Sequence, residues 1–175
     1  MNPFRDTVLA VLVRKCSRGQ LQFGLIWSGK AQACGECTHT FVGGGVESGE
    51  SAEEALKREL RQEVGLLPGQ YQLRSISHGP SDFTGPAVED GRTKRYRFFL
   101  VHCHTGAVLQ QSPEAPAAGW FTPQQIIAIA EQGFSANKRT MISAVSRLLL
   151  QQYPDLFRGS ESLLRQMSQE IAPAG

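Results

Sequence analysis

Two glutamates one helical turn apart, Glu59 and Glu63, follow closely on three consecutive glycines, Gly43, Gly44 and Gly45. Side chains four residues apart on a helix lie one above the other, so these carboxylates share a stripe. Like charges so placed destabilise a helix by a few tenths of a kcal/mol, and by more where water is excluded. A hard divalent cation offsets that repulsion. Mg²⁺ takes oxygen ligands in near-octahedral geometry, often one or two carboxylates together with waters and substrate phosphates. Glycines without Cβ atoms let the backbone turn sharply and come close to a ligand, so a carbonyl there can join the metal. The chemistry this points to is metal-assisted cleavage of a phosphorylated substrate.

The elements that must hold these groups are legible around them. Ser51 followed by Glu54 predicts a capping box, and small or unbranched residues carry a helix from there to Val64, where Gly65 supplies a left-handed stop. Leu56, Leu60 and Val64 form the apolar stripe of that helix, and the two glutamates lie about one residue's rotation away from it, beside the core.

The spacing Gly44, five residues, Glu50, seven residues, Arg58-Glu59-Leu60, one residue, Gln62-Glu63, one residue, Gly65-Leu66 resembles the Nudix box, G-x5-E-x7-R-E-U-x-E-E-x-G-U with U aliphatic. Six specified identities match. At ordinary residue frequencies the chance is on the order of 10⁻⁷ to 10⁻⁸ per register. One position departs: Gln62 stands where the family has the first glutamate of its pair, and its amide oxygen can ligate but brings no charge. The resemblance implies an α/β/α sandwich with a mixed β-sheet, and an enzyme that cleaves a nucleoside diphosphate linked to another group, using Mg²⁺ or Mn²⁺. It implies Glu59, Glu63, the Gly44 carbonyl and Gln62 as metal ligands, and Arg58 as the residue that orients the carboxylates. Glu50 is expected to fix the loop and the helix start, and Glu47 to be exposed. The general base is left among a box glutamate, Glu59 or Glu63, and a carboxylate from a distant loop, Glu114 or Glu89, with Glu114 favoured.

The rest of the chain places candidate substrate contacts. Arg95 and Arg97 begin a strand over 95–102 and suit phosphates, although such charges also commonly solvate a strand end. Phe134-Ser-Ala-Asn-Lys138 resembles the segment in which the family's 8-oxo-purine triphosphate cleaners read a purine edge, which makes Asn137 a candidate base reader; its alternative is a helix cap. Phe83, Tyr96 and Phe134 are aromatic candidates for stacking, with core packing as the competing use.

A chain of 175 residues suits one domain with a sufficient core, and 155–175 reads as a last amphipathic helix with a loose tail. No apolar run is long enough to span a membrane. The N-terminus lacks a basic start with an apolar signal core, so cytoplasmic residence is the expectation. A formal net charge of +2 does not suit a duplex nucleic acid partner but is compatible with a small nucleotide substrate. The resemblance adds homodimer formation, which many members show.

Cys34-Gly-Glu-Cys37 has half the spacing of a zinc site, yet no second such pair exists, and Cys103 alternates away from His102 and His104; free thiols are expected. Hairpin strands over 7–15 and 21–27, a strand over 38–42, one over 71–77, a long loop over 78–93, a short strand over 117–121, and helices from Pro123 and over 136–152 complete the reading. A triphosphate pyrophosphohydrolase leads. Hydrolysis of a dinucleoside polyphosphate, a nucleotide sugar or an RNA 5′ end is the alternative, and a non-catalytic nucleotide sensor is the reading of another class.

Overall fold

A computed structural model of the chain describes residues 3–27, 39–78, 83–87 and 91–173. A mixed sheet forms its middle layer. Its strands are β1 (Phe4–Lys15), β2 (Leu21–Trp27), β3 (His39–Thr40), β4 (Val42–Gly45), β5 (Tyr71–Ser75), β6 (Thr84–Ala87), β7 (Thr93–Cys103) and β8 (Ala117–Phe121). The path runs β3-β2-β1-β7-β5, with β4 on β1, β6 on β7 and β8 on β2. The β1–β7 pair is parallel and the others are antiparallel. Beside the sheet lie α1 (Ala52–Val64), α2 (Pro123–Gly133), α3 (Ala136–Gln152) and α4 (Glu161–Ile171).

Side chains alternate across β1 and so feed two cores. Val8, Ala10 and Leu12 pack with Leu56, Leu60 and Val64 of α1, whereas Leu9, Val11 and Val13 pack with Ile126, Ile142, Val145, Leu149 and Leu164 of the other three helices. The result is the expected α/β/α sandwich.

One feature of the sheet positions the glycines. β1 pairs with β2 only from Leu12 to Lys15, and with β4 from Thr7 to Ala10. β2 in turn pairs with β3 at Ile26 and Trp27. Residues 39–45 are therefore a wedge between two diverging strands, passing from β2 to β1 at Phe41.

Several boundaries differ from expectation. Gly43, Gly44 and Gly45 are not a free loop but strand residues hydrogen-bonded along β1; small side chains carry no strand pattern, and the pairing partner is more than thirty residues upstream. The segment expected as one loop over 78–93 contains β6, for the same reason: Thr-Gly-Pro-Ala has no alternation, and its strand character comes from β7, across an irregular register. After α3 a short 3-10 turn runs from Pro154 to Phe157. Glu89 and the Cys34-Cys37 pair fall outside the described residues.

Candidate active site

The helix that carries the two glutamates is fixed at both ends by local chemistry. Ser51 Oγ accepts from the Glu54 backbone N–H at 3.2 Å, and the Glu54 carboxylate accepts from the Ser51 N–H at 2.7 Å. At the other end Gly65 adopts φ 68°, with its N–H donating to the Arg61 carbonyl. Between these stops Glu59 and Glu63 are 7% and 8% exposed, on the side of α1 that faces β4. Buried carboxylates need partners. Glu63 Oε2 accepts from the Gly43 N–H at 2.9 Å, and Glu59 Oε1 accepts from Arg58 Nη1 at 2.6 Å.

Gly44 stands directly opposite Glu59. A Cβ on Gly44 would lie 2.5 Å from Glu59 Cδ and overlap Oε1. At Gly43 a Cβ would overlap the Val8 carbonyl oxygen, so the wedge strand can approach β1 only without side chains.

Arg58, expected from the resemblance to orient the carboxylates, holds Glu59 and also ties in Glu50 and the Gly45 carbonyl. Its Nε and Nη2 grip Glu50 at 3.2 and 2.7 Å, Nη2 also donates to the Gly45 carbonyl at 2.9 Å, and Nη1 reaches Glu59. The guanidinium pKa is raised by these carboxylates, with the Glu50 hydrogen bond foremost, and Glu50 itself is held below the ordinary carboxylate range by Arg58. Glu50 Oε1 closes the turn by accepting from the Glu47 N–H at 2.8 Å. A fork that is charged and planar can hold two acids and a carbonyl in one geometry. Gln62 is exposed, with Oε1 at 3.4 Å from the same Nη1 that holds Glu59; Glu47 is exposed, 3.8 Å from it.

The more distant candidates separate. Arg95 is engaged by Asp6: Nε and Nη2 both lie 2.7 Å from Asp6 Oδ1, and that pair holds the Asp6 carboxyl below its ordinary pKa. Arg97 is half-exposed and only 3.8 Å from Asp6 Oδ2. In register it sits beside Val8, whose other neighbour is Gly44, so Arg97 and Gly44 are two strands apart, about 10 Å at the usual strand spacing. Phe83 is corrected from a stacking surface to a core residue: it is 8% exposed and packed edge-on against Phe98 and His78. Asn137 is exposed in the first turn of α3, and the cap is Ser135, which accepts from the Lys138 N–H. Glu114 is exposed in a turn closed by Ser112 and Ala115, three residues before β8.

Sequence reasoning missed Arg5. It is exposed at the start of β1, and its guanidinium lies where a Cβ on Gly45 would be, 2.7 Å from Nη2. Nothing local signals this, because Arg5 and Gly45 meet only through the β1–β4 pairing.

The donor set fits a hard divalent cation: oxygens only, two carboxylates, and a backbone brought close where a Cβ would fill the space. Among the described residues no three His, Cys, Asp or Glu side chains converge. A cation here would complete its shell from the Gly44 carbonyl, water and substrate phosphate.

A mixed sheet whose wedge strand delivers glycines to a helix with two buried glutamates makes the chain an α/β protein with an acidic, oxygen-lined site. The chain belongs to the NUDIX family: the model of the NUDIX domain matches residues 3–145. It is similar to the RNA pyrophosphohydrolase of Marinomonas sp. (strain MWYL1), 25% identical over 162 residues that cover 83% of this chain and 95% of that protein. The RNA pyrophosphohydrolase of Shewanella pealeana is more nearly identical over a shorter stretch: 51% over 43 residues, a quarter of each chain. Among solved structures, the fold is similar to that of the C. elegans Ap4A hydrolase binary complex, with a TM-score of 0.58 at 19% identity, covering 94% of this chain and 96% of that one. The chain is thus a Nudix hydrolase, acting on pyrophosphate bonds. Among the described residues no helix is long and apolar enough to cross a membrane.

Proposed function

We propose that the chain hydrolyses, with Mg²⁺, the pyrophosphate bond of a nucleoside diphosphate linked to a further group, a nucleoside triphosphate giving monophosphate and pyrophosphate as the leading case. The observation that carries this is the apposition of Gly44 to the buried, Arg58-held carboxylate of Glu59. Glu59, Glu63 and the Gly44 carbonyl would hold the ion, and Gln62 would add a neutral oxygen. When bound, the ion neutralises phosphate oxygens and acidifies water.

The chain's own residues do the rest. Arg58 keeps Glu59 in one rotamer and ties the helix to the Gly45 carbonyl, so the acids stay in place when charge on the substrate arrives. Arg97 and Arg5, exposed on strands that flank or contact the glycines, are suited to hold phosphate oxygens. A water oxygen attacks phosphorus, the bridging P–O bond breaks, and the water's proton passes to a carboxylate; Glu114 serves as that base if its turn brings it within hydrogen-bond reach.

A second reading, an RNA 5′ end as substrate, draws on the relative named RNA pyrophosphohydrolase. The test is a panel of nucleoside triphosphates, a dinucleoside polyphosphate, a nucleotide sugar and triphosphorylated RNA, with and without Mg²⁺ and with products identified. Turnover is expected only with the ion, and E63Q is expected to lower it at least 100-fold. Undiminished turnover in E63Q would place the chemistry elsewhere, and binding without turnover in the wild type would favour a nucleotide sensor.

A further inference from the structure

Where β1 and β7 end and β5 begins, a cleft of about 630 Å³ opens at the edge of the sheet. Lys15 of β1, Gln72 of β5, His102 of β7, His104, Thr105 and Asp155 of the 3-10 turn line it. His102 is the register partner of Val13 and of Gln72, and Val13 belongs to the core under α2, α3 and α4, so the cleft lies on that face. Arg74, two residues along β5 from Gln72, shares the face, with its guanidinium 5.7 Å from the Tyr153 ring.

The charge here is of one sign. Burial first, then Arg74, His104 and Lys15, hold the half-buried His102 imidazole below its ordinary pKa. Asp155 is the one acid among the residues that line the cleft, and Arg158 already takes it at 2.6 Å. Lys15 Nζ is steadied against the same turn, donating to the Arg158 carbonyl at 3.3 Å. Cations gathered round a partly desolvated imidazole repel one another, and an anion offsets that cost. An ammonium, imidazole N–H groups, an amide and a hydroxyl also make a set of donors, which suits an acceptor-rich ligand. The volume is within the range of roughly 300–1,000 Å³ in which small molecules bind. A metal fits poorly: among the described residues no three His, Cys, Asp or Glu side chains converge, and Lys15 and Arg74 oppose a cation.

The cleft is far from the glutamates. Lys15 is seven residues along β1 from Val8, the partner of Gly44, roughly 24 Å at the usual rise, and α1 packs on the other face of the sheet.

We propose that this cleft is a second anion site, in which Lys15, Arg74 and His102 take the phosphoryl group of a small phosphorylated molecule. The inference is independent of the hydrolytic assignment. Lys15 and Arg74 supply standing charge, and His102 gains a proton as the anion enters, which strengthens its hydrogen bond to a phosphate oxygen.

The experiment uses the full chain without metal and follows the histidine ring signals by NMR, with H102Q and H104Q to assign them. Inorganic pyrophosphate and adenosine monophosphate are the probes, sodium chloride at matched ionic strength is the control, and Zn²⁺ alone is a separate arm. Both probes are expected to shift the His102 signal saturably, with a Kd of about 1 mM or tighter, and to raise the pH at which that ring titrates. K15Q and R74Q, each checked by thermal melting, are expected to bind about tenfold more weakly, while K15R retains affinity. R97Q, altered near Gly44, is expected to leave the His102 response intact. Tighter binding of adenosine monophosphate identifies a nucleotide as the source of the phosphoryl group, tighter binding of pyrophosphate an inorganic one, and equal affinity a site that reads the phosphoryl group alone. A response no larger than that to chloride, wild-type affinity in folded K15Q and R74Q, loss of the response in R97Q, or a response to Zn²⁺ in place of the phosphates would each overturn the proposal.

Discussion

Replacing Gly44 by alanine tests the geometry of the site with a single methyl group. The Glu59 Cδ stands 2.5 Å from where that methyl would be, and ordinary carbon contact begins at about 3.4 Å, so the carboxylate must retreat by close to 1 Å. It cannot retreat without cost. Glu59 is 7% exposed and held by Arg58 at 2.6 Å, so the displacement weakens a charge-assisted hydrogen bond, worth roughly 1.5–3 kcal/mol when lost outright. Activity should suffer more. A misplacement of about 1 Å costs on the order of 100-fold in rate, close to 2.7 kcal/mol of transition-state stabilisation. The assay pairs thermal melting with kcat/KM for a nucleoside triphosphate at saturating Mg²⁺. A variant that melts within a few degrees of wild type but loses about 100-fold is the expected result. A well-folded G44A with kcat/KM within threefold of wild type would refute the reasoning, since the overlap would then have no consequence for the carboxylate's task.

Two further predictions concern pH. Arg95 holds the Asp6 carboxyl below its ordinary value of ~3.9, so the pair adds stability that is fully present above that value and is lost as pH falls through the lower folded pKa. D6N should therefore cost up to about 1 kcal/mol in urea melts near neutrality, with the gap to wild type closing in strong acid; a gap independent of pH would sink the assignment. Burial pushes the Cys103 thiol up to about 12, so it stays protonated and unreactive in the folded state. The unfolded thiol ionises near 8.5, so this group's contribution is complete below that pH and declines as pH rises toward 12. Labelling with a thiol reagent at pH 8, mapped by mass spectrometry, should modify Cys16 in the native protein, and Cys103 only after unfolding.

What could be read from the chain alone is what neighbours in sequence decide. The capping box at Ser51, the stop at Gly65, the stripe of Leu56, Leu60 and Val64, and the shared face of Glu59 and Glu63 all depend on residues within a few turns of one another, and the helix forms as expected. The box spacing carried the family, and with it the sandwich. Tertiary structure decided the remainder, because each contact joins residues that no local rule connects. Arg95 meets Asp6 across 89 residues and so is taken up by an ion pair. Arg5 reaches Gly45 only through the β1–β4 ladder, and Phe83 is withdrawn into the core by Phe98. The glycines became a strand, and Thr84–Ala87 another, since backbone pairing needs a partner and not a side-chain pattern. Lys15, Gln72 and His102 come together because β1, β7 and β5 lie side by side, an arrangement set by one parallel and one antiparallel ladder between strands far apart in the chain.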